Sequence, residues 1–478
     1  MTALRSYGLA YYHTDHPHGK FKGNEPWVVA GVAAMALDHC YYPIHDVPTT
    51  RDVQMACWMY FNLERPKLEH DALAFGRLVF PEIYAQWSYQ RPALENLARP
   101  AALFDPRSWA TTQQPTVTTV GWEQRLLGCS VAEFTAIGFV LYTIARNGGS
   151  FPLPDFPVSD LVYNAFGGKA AFDQIAERLY ITDIPHFREE RKKALAPISN
   201  WNGAERLTFN PLISRPLLRG LTNDDSGHAI APVPETVRLR ASVEGVIYEG
   251  LALYAAPFTQ DVGSFFEGYV GRQLDTMTGA ETYQEITYRG PSGSDRKTVD
   301  WFVILPSAVV LVECKSALPN RSVVEGRETF AEGHQQTISA RKQILATAEL
   351  IRNGQPELSR IPTDRPMVGL VVTLGTYYGA NGPEVSGESN TPANTPIGVI
   401  DAASLEKFVT LPACDADSLV AAMLSGKPGG QIDPRIMIDR LHWGPNRLLQ
   451  EAYENLPVIK AVIEAADQDM TSTTTERT

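Results

Sequence analysis

The chain has 478 residues, room for two to four domains of ordinary size. Hydrophobic residues make up 44% and charged residues 20%; 42 lysines and arginines against 54 aspartates and glutamates give a net charge of −12. These values exclude a globally disordered chain, a collagen-like repeat and a disulfide scaffold. The five cysteines (Cys40, Cys57, Cys129, Cys314 and Cys414) form no C-x-x-C pair, which argues against a four-cysteine zinc site and suits a reducing compartment. The N-terminus has no signal-peptide core, and the longest apolar stretches, 27–37 and 134–145, fall short of the ~20 residues that span a bilayer. A cytoplasmic protein with no membrane partner is expected. An acidic total does not advertise nucleic-acid binding, yet a local basic groove or a bound divalent cation changes the field where it matters.

In chain order, residues 1–206 read as a mainly helical recognition or regulatory domain. Asn24 is placed to cap a helix starting near Pro26 and running through WVVAGVAAMALD. Ser130 and Glu133 form an S-x-x-E capping box for a helix over 130–147, stopped by Gly148, whose apolar middle marks it as a core helix. A further helix is expected over 168–179, followed by the mixed-charge run 186–193, read as a solvated face. Residues 197–210 look like a joint, and 207–466 like an α/β domain. Short β-like runs at 236–241 and 246–248 precede a helix over 261–276. Strands follow over 283–288, 299–305 and 308–313, then a helix over 333–351, strands over 367–374 and 397–400, and a helix over 403–409. This is an α-β-β-β-α-β order, a mixed sheet flanked by helices. The polar end, 467–478, reads as a disordered tail.

The informative segment is TVDWFVILPSAVVLVECKS, 298–316. The continuous apolar run 309–312 predicts a central strand buried on both faces. It ends in Glu313-Cys314-Lys315, and the period of two turns Glu313 and Lys315 to one face and Cys314, read as core packing, to the other. A symmetric hairpin centred on Pro306-Ser307 pairs residues whose numbers sum to 613, so Asp300 lies opposite Glu313. Two facing carboxylates repel, and a bound hard cation removes the penalty. A lysine one pleat away can hold a water or stabilise the charge of a phosphoryl transition state. Asp, Glu and Lys around one metal suit in-line phosphodiester hydrolysis. A bland surface ion pair would explain the same residues, but the flanking VVLV run argues against an exposed strand. Glu267 has Val270, Gly271 and Leu274 at i+3, i+4 and i+7, a small or apolar face that can turn it toward the sheet; the alternative is a glutamate favoured by the helix dipole. Gln335, Gln336, Arg341, Lys342 and Gln343 follow on the next helix and either contact a substrate backbone or form a solvated polar face. His13, His16 and His18, like Asp38-His39-Cys40 and His45-Asp46, lack zinc-site spacing and read as polar loop. No P-loop, G-x-S-x-G or H-E-x-x-H string is present.

A helical Glu, then Asp, then E-C-K on the next strand resembles the PD-(D/E)XK nuclease superfamily, the restriction-endonuclease-like fold, over about 261–400. The matching positions are Glu267, Asp300, Glu313 and Lys315. Val299 stands where the motif has proline, and the glutamine helix gives no clean Q-x-x-x-Y motif. The resemblance implies a Mg²⁺-dependent endonuclease, with Mn²⁺ substituting, acting on DNA and less often RNA, in a superfamily that includes restriction, repair and phage-defence enzymes. It implies metal ligation by Asp300, Glu313 and the Cys314 backbone carbonyl, with Glu267 assisting and Lys315 positioning water. A homodimer or a partner protein such as a helicase is a further expectation. The competing readings are a non-catalytic nucleic-acid-binding or scaffold module on the same sheet, and a nuclease subunit active only with its partner.

Overall fold

The computed structural model describes residues 25–40, 48–63, 93–109, 114–148, 150–153, 155–199, 204–221, 227–290, 293–319, 330–382, 395–425 and 433–475, with a few isolated positions besides. The chain divides into two compact units. One comprises Met1–Ala101, Val120–Leu253 and Ala452–Thr478; the other comprises Ala102–Thr119 and Tyr254–Glu451. The boundary drawn from sequence near 206 therefore falls inside the first unit, and the first unit takes back the C-terminus.

The first unit is mainly helical. Helices α1 (Pro26–His39) and α2 (Thr50–Phe61) pack together, and α3 (Val131–Arg146) lies buried along most of its length. The expected capping box starts α3: Ser130 Oγ accepts from Glu133 N at 3.1 Å, and Glu133 Oε2 accepts from Ser130 N at 2.7 Å. At α1 the cap position is Glu25, without a side-chain cap bond, and Asn24 lies outside the described residues. Helices α4 (Lys169–Tyr180) and α5 (Ile184–Leu195) follow. A small sheet, absent from the sequence reading, joins β1 (Phe151–Pro152), β2 (Ile181–Asp183), β3 (Leu217–Arg219) and β4 (His228–Ile230) in the order β1-β4-β3-β2.

The β-like runs at 236–241 and 246–248 are corrected to helices α6 (Pro234–Arg240) and α7 (Val243–Tyr254). The alternation V-R-L-R imitates a half-buried strand, but its arginines are buried too. Arg240 donates to the carbonyls of Leu179 (3.0 Å) and Gly245 (3.3 Å) and pairs with Glu249 at 2.6 Å. In α7 the buried Val243, Val246, Ile247 and Gly250 follow helical spacing, which a three-residue window cannot reveal. The expected tail from 467 is likewise corrected: a helix runs Pro457–Thr475, and 476–478 lie outside the described residues. A helix nucleated on the buried Leu456 and Val458 extends through polar residues cheaply.

The second unit has the expected element order. Helix α8 (Ala256–Leu274) precedes β5 (Glu281–Gln284); a hairpin of β6 (Thr287–Arg289) and β7 (Asp295–Lys297) follows; then come β8 (Trp301–Ile304), β9 (Val309–Lys315), α9 (Gln335–Arg352), β10 (Met367–Thr373), β11 (Ile397–Asp401) and α10 (Ala402–Phe408). The five-stranded sheet runs β11-β10-β9-β8-β5. Strands β5, β8 and β9 are antiparallel in sequence, and β9, β10 and β11 are parallel. The expected strand 283–288 divides between the large sheet (β5) and the β6–β7 hairpin. All seven residues of β10 and the first five of β9 are buried, as central strands covered on both faces require.

Gly271 sets how closely α8 lies on the sheet, while Gly263 leaves room for a side chain. A Cβ on Gly271 would stand 2.1 Å from the Trp301 ring, and one on Gly263 would reach 3.7 Å from Ser316 Oγ. Trp301 Nε1 donates to the Glu267 carbonyl at 3.0 Å, midway between them. Gly271→Ala must therefore displace the indole or the helix. The expected cost is about 1–3 kcal/mol of unfolding free energy, read from urea denaturation, because overpacking a closed contact has that size. Unchanged stability would mean that the helix does not rest on Trp301 in solution.

Candidate active site

The register of β8 and β9 is the one expected: Trp301↔Val312 through Ile304↔Val309 all sum to 613, so Asp300 follows on opposite Glu313. The next ladder bond would run from the Cys314 N–H to the Val299 carbonyl, because Lys315, one residue along, turns its carbonyl to β10, accepting from Leu374 N at 3.1 Å. That bond is replaced: Asp300 Oδ2 accepts from Cys314 N at 2.7 Å. The Val299 N–H has also left the ladder and donates to Thr347 Oγ1 at 3.1 Å. The Cys314 carbonyl points to the same side as its N–H and so has lost its ladder donor. A carboxylate and a backbone carbonyl thus open together into the gap where β8 stops.

Glu313 is 1% exposed. Its Oε1 accepts from Lys315 Nζ at 2.7 Å, while its Oε2 has no hydrogen-bond partner among the described residues. Burial, then the nearby Asp300 charge, pushes Glu313 up to about 8. Burial likewise raises Asp300, against the bond from Cys314 N. Burial pulls the Lys315 ammonium down, but Glu313 and Asp300 outweigh it and hold it above its ordinary value. The Cys314 thiol is driven well up by burial and by the carboxylates around it, which keeps it neutral and unsuited to nucleophilic work.

Glu267 reaches the same place from α8. Burial, then Asp300, pushes it up to about 7, and a hydrogen bond from Gln284 works the other way. Glu285 was not foreseen. β5 and β8 pair with numbers summing to 585, and Glu285 N donates to the Asp300 carbonyl at 2.7 Å, so Glu285, Asp300 and Glu313 form one row across three neighbouring strands. Lys297 Nζ lies 2.9 Å from Glu285 Oε1. The overlooked signal was the G-P-S-G turn between two short polar runs, which marks a hairpin after Glu285 and places Lys297 beside it.

The residues expected on α9 separate. Gln335, Gln336 and Lys342 are exposed. Arg341 is buried, and its guanidinium donates to the carbonyls of Ile397 (3.0 Å) and Ala380 (3.1 Å); Gln343 Nε2 donates to the Thr298 carbonyl at 2.9 Å. The structure therefore occupies Arg341 and Gln343 in holding α9 to the sheet rather than in facing a substrate. In the 186–193 run, now within α5, Arg188 and Arg191 also bind carbonyls, those of Leu37 (2.8 Å) and Thr208 (2.7 Å), so the run is not simply a solvated face. His39 faces Glu205 at 3.1 Å. His13, His16, His18, His45 and Asp46 lie outside the described residues.

No family model matches the chain, and no curated protein is significantly similar to it in sequence. Among the described residues no three His, Cys, Asp or Glu side chains form a ready metal cage, and no helix is long and apolar enough to cross a membrane. The groups at the strand end are nevertheless oxygens suited to a hard cation: Glu313 Oε2, without a hydrogen-bond partner among the described residues, the Asp300 carboxylate, and the Cys314 carbonyl whose ladder donor, Val299 N, has turned to Thr347. A Mg²⁺-sized ion fits this chemistry with two carboxylates, a carbonyl and water.

Stability should report the buried charges. The folded-state pKa of Glu313 lies above its unfolded value, so its contribution is fully present below the ordinary glutamate range and is lost as pH rises toward about 8. In EDTA, thermal stability of the wild type should fall across that interval, and Glu313→Gln should flatten the fall. Mg²⁺ should raise the wild-type melting temperature near pH 8 and leave Glu313→Gln nearly unmoved. Coincident metal-free profiles would remove the case for strained carboxylates.

Proposed function

We propose that the chain is a metal-dependent nuclease of the PD-(D/E)XK kind, hydrolysing phosphodiester bonds in DNA, with restriction or phage defence as its setting. The observation that carries the reading is the Asp300–Cys314–Glu313–Lys315 arrangement: buried, mutually repelling oxygen donors beside a lysine, at the end of a rigid central strand. A buried Glu313 oxygen with no hydrogen-bond partner among the described residues, set beside a second carboxylate, is a place that a bound cation would satisfy.

In this reading Asp300, Glu313 and the Cys314 carbonyl hold Mg²⁺, which supplies Lewis-acid stabilisation of phosphoryl oxygens when bound. Glu267 supports the same centre from α8. Lys315, already 2.7 Å from Glu313, holds the attacking water and meets the charge growing on the phosphoryl group. The water oxygen bonds to phosphorus as the bond to the leaving sugar oxygen breaks; the water's proton passes to solvent, and solvent protonates the leaving oxygen.

The test is cleavage of supercoiled plasmid, linear duplex, and single-stranded DNA and RNA in Mg²⁺, Mn²⁺ or EDTA. Metal-dependent cutting is expected, with Lys315→Ala slower by about 10²–10³-fold or more and Asp300→Asn losing metal binding by calorimetry. A folded protein that binds no metal and cuts nothing would overturn the reading. One that binds metal yet cuts only with an added ATP-driven partner would identify a partner-dependent subunit.

A further inference from the structure

We infer that the β6–β7 hairpin is the arm on which the nucleic-acid backbone lies, with Lys297 on the phosphate nearest the carboxylates and Arg289 on the next one outward. The inference rests on the nuclease reading and adds the element that recognises the substrate.

The hairpin is built onto the site. Its base is closed by Thr298 N donating to the Ile286 carbonyl at 3.1 Å and by Ile286 N donating to Thr298 Oγ1 at 2.9 Å; Gln343 of α9 then holds the Thr298 carbonyl. The two residues flanking this closure are Glu285, in line with Asp300 and Glu313, and Lys297, paired with Glu285. The cation is therefore fixed in place by the sheet, while its side chain stays 67% exposed.

The hairpin register then sets the second contact. Thr287 pairs with Lys297, and Arg289 pairs with Asp295, so strand alternation puts Thr287, Lys297, Arg289 and Asp295 on one face. Lys297 and Arg289 are diagonal neighbours on that face, about 7–8 Å apart and somewhat less between Cβ atoms. Arg289 is 76% exposed and meets Asp295 only at 3.5 Å. Exposed pairs of this kind contribute little, so exchanging Asp295 for a phosphate costs little. The Glu285 hydrogen bond, and after it the charges of Glu285, Glu267 and Asp300, hold the Lys297 ammonium above its ordinary value. On a chain of net charge −12, such fixed, solvent-facing cations next to the carboxylate row are where a polyanion can be held.

The experiment measures binding of short fluorescein-labelled duplex and single-stranded DNA across a salt series, in Mg²⁺ on a Lys315→Ala background. Cleavage kinetics of Lys297→Ala, Arg289→Ala and the double variant are measured on the otherwise unaltered chain. Each single change should weaken binding roughly tenfold and lower the salt slope by about one. KM should rise with kcat held within a few-fold, and Lys297→Arg should restore most of the loss. Both positions are exposed, and unaltered melting curves will show that the variants fold. If the parent chain cuts and binds while the double variant keeps its KM and salt slope, the hairpin inference falls and the nuclease reading stands. If the parent chain neither binds nor cuts any nucleic acid, both fall.

Discussion

The candidate site depends on a β-ladder that stops one residue early. Where the Val299 carbonyl should accept from Cys314, the Asp300 carboxylate does so, and Val299 turns its N–H to Thr347 on α9. A single displaced bond thus puts a carboxylate into the plane of the sheet, strips a carbonyl of its donor and brings a second carboxylate, Glu313, alongside. Each consequence is unfavourable alone: like charges approach, and a buried oxygen goes unbonded. They persist because β9 is gripped on its other side by β10 along its whole length, from Val309 to Lys315. A rigid, buried strand pair can hold strained polar groups that a surface hairpin would let relax.

The helix carrying Glu267 is fixed with similar thoroughness, by polar as well as apolar contacts. Tyr269 donates to Glu406 of α10 at 2.7 Å, Gln273 donates to Tyr269 at 2.9 Å, and Asn446 donates to Gln273 at 2.7 Å. At the other end Asp261 accepts three backbone N–H bonds, from Thr116, Val117 and Thr118. Fully satisfied buried networks of this kind are directional where apolar packing is not. Together with the indole resting on Gly271, they specify the rotation of α8 about its axis, and that rotation decides whether Glu267 meets Asp300 or solvent.

Much of the sheet and its centre was legible because period and register are arithmetic. The hairpin sum places Asp300 opposite Glu313, and the apolar run marks the strand as central. Illegible residues were those whose role depends on tertiary partners. Arg341 reads as a phosphate contact and is in fact a buried clamp on Ile397 and Ala380; the same error, in α6, turned buried arginines into an imagined strand face. Glu285 and Lys297 were missed for a different reason. They flank a change of partner, where one chain segment leaves the large sheet for a two-stranded one, a point that period does not mark and that the G-P-S-G turn signals.

The position of that change has a physical consequence. At ordinary ionic strength charges farther than about 8 Å apart are largely screened, so the net charge of −12 says little about the field felt by one phosphate. What counts is the local order of signs: Lys315 beyond Glu313 on β9, and Lys297 beyond Glu285 at the foot of the hairpin. The carboxylates are thus flanked by lysines carried on different strands, Lys315 partly buried on β9 and Lys297 largely exposed at the foot of the hairpin. An acidic row alone would repel a polyanion, and a basic arm alone would bind it without effect. Under the proposed nuclease reading, the two set side by side would give an acidic protein a place to hold a phosphodiester.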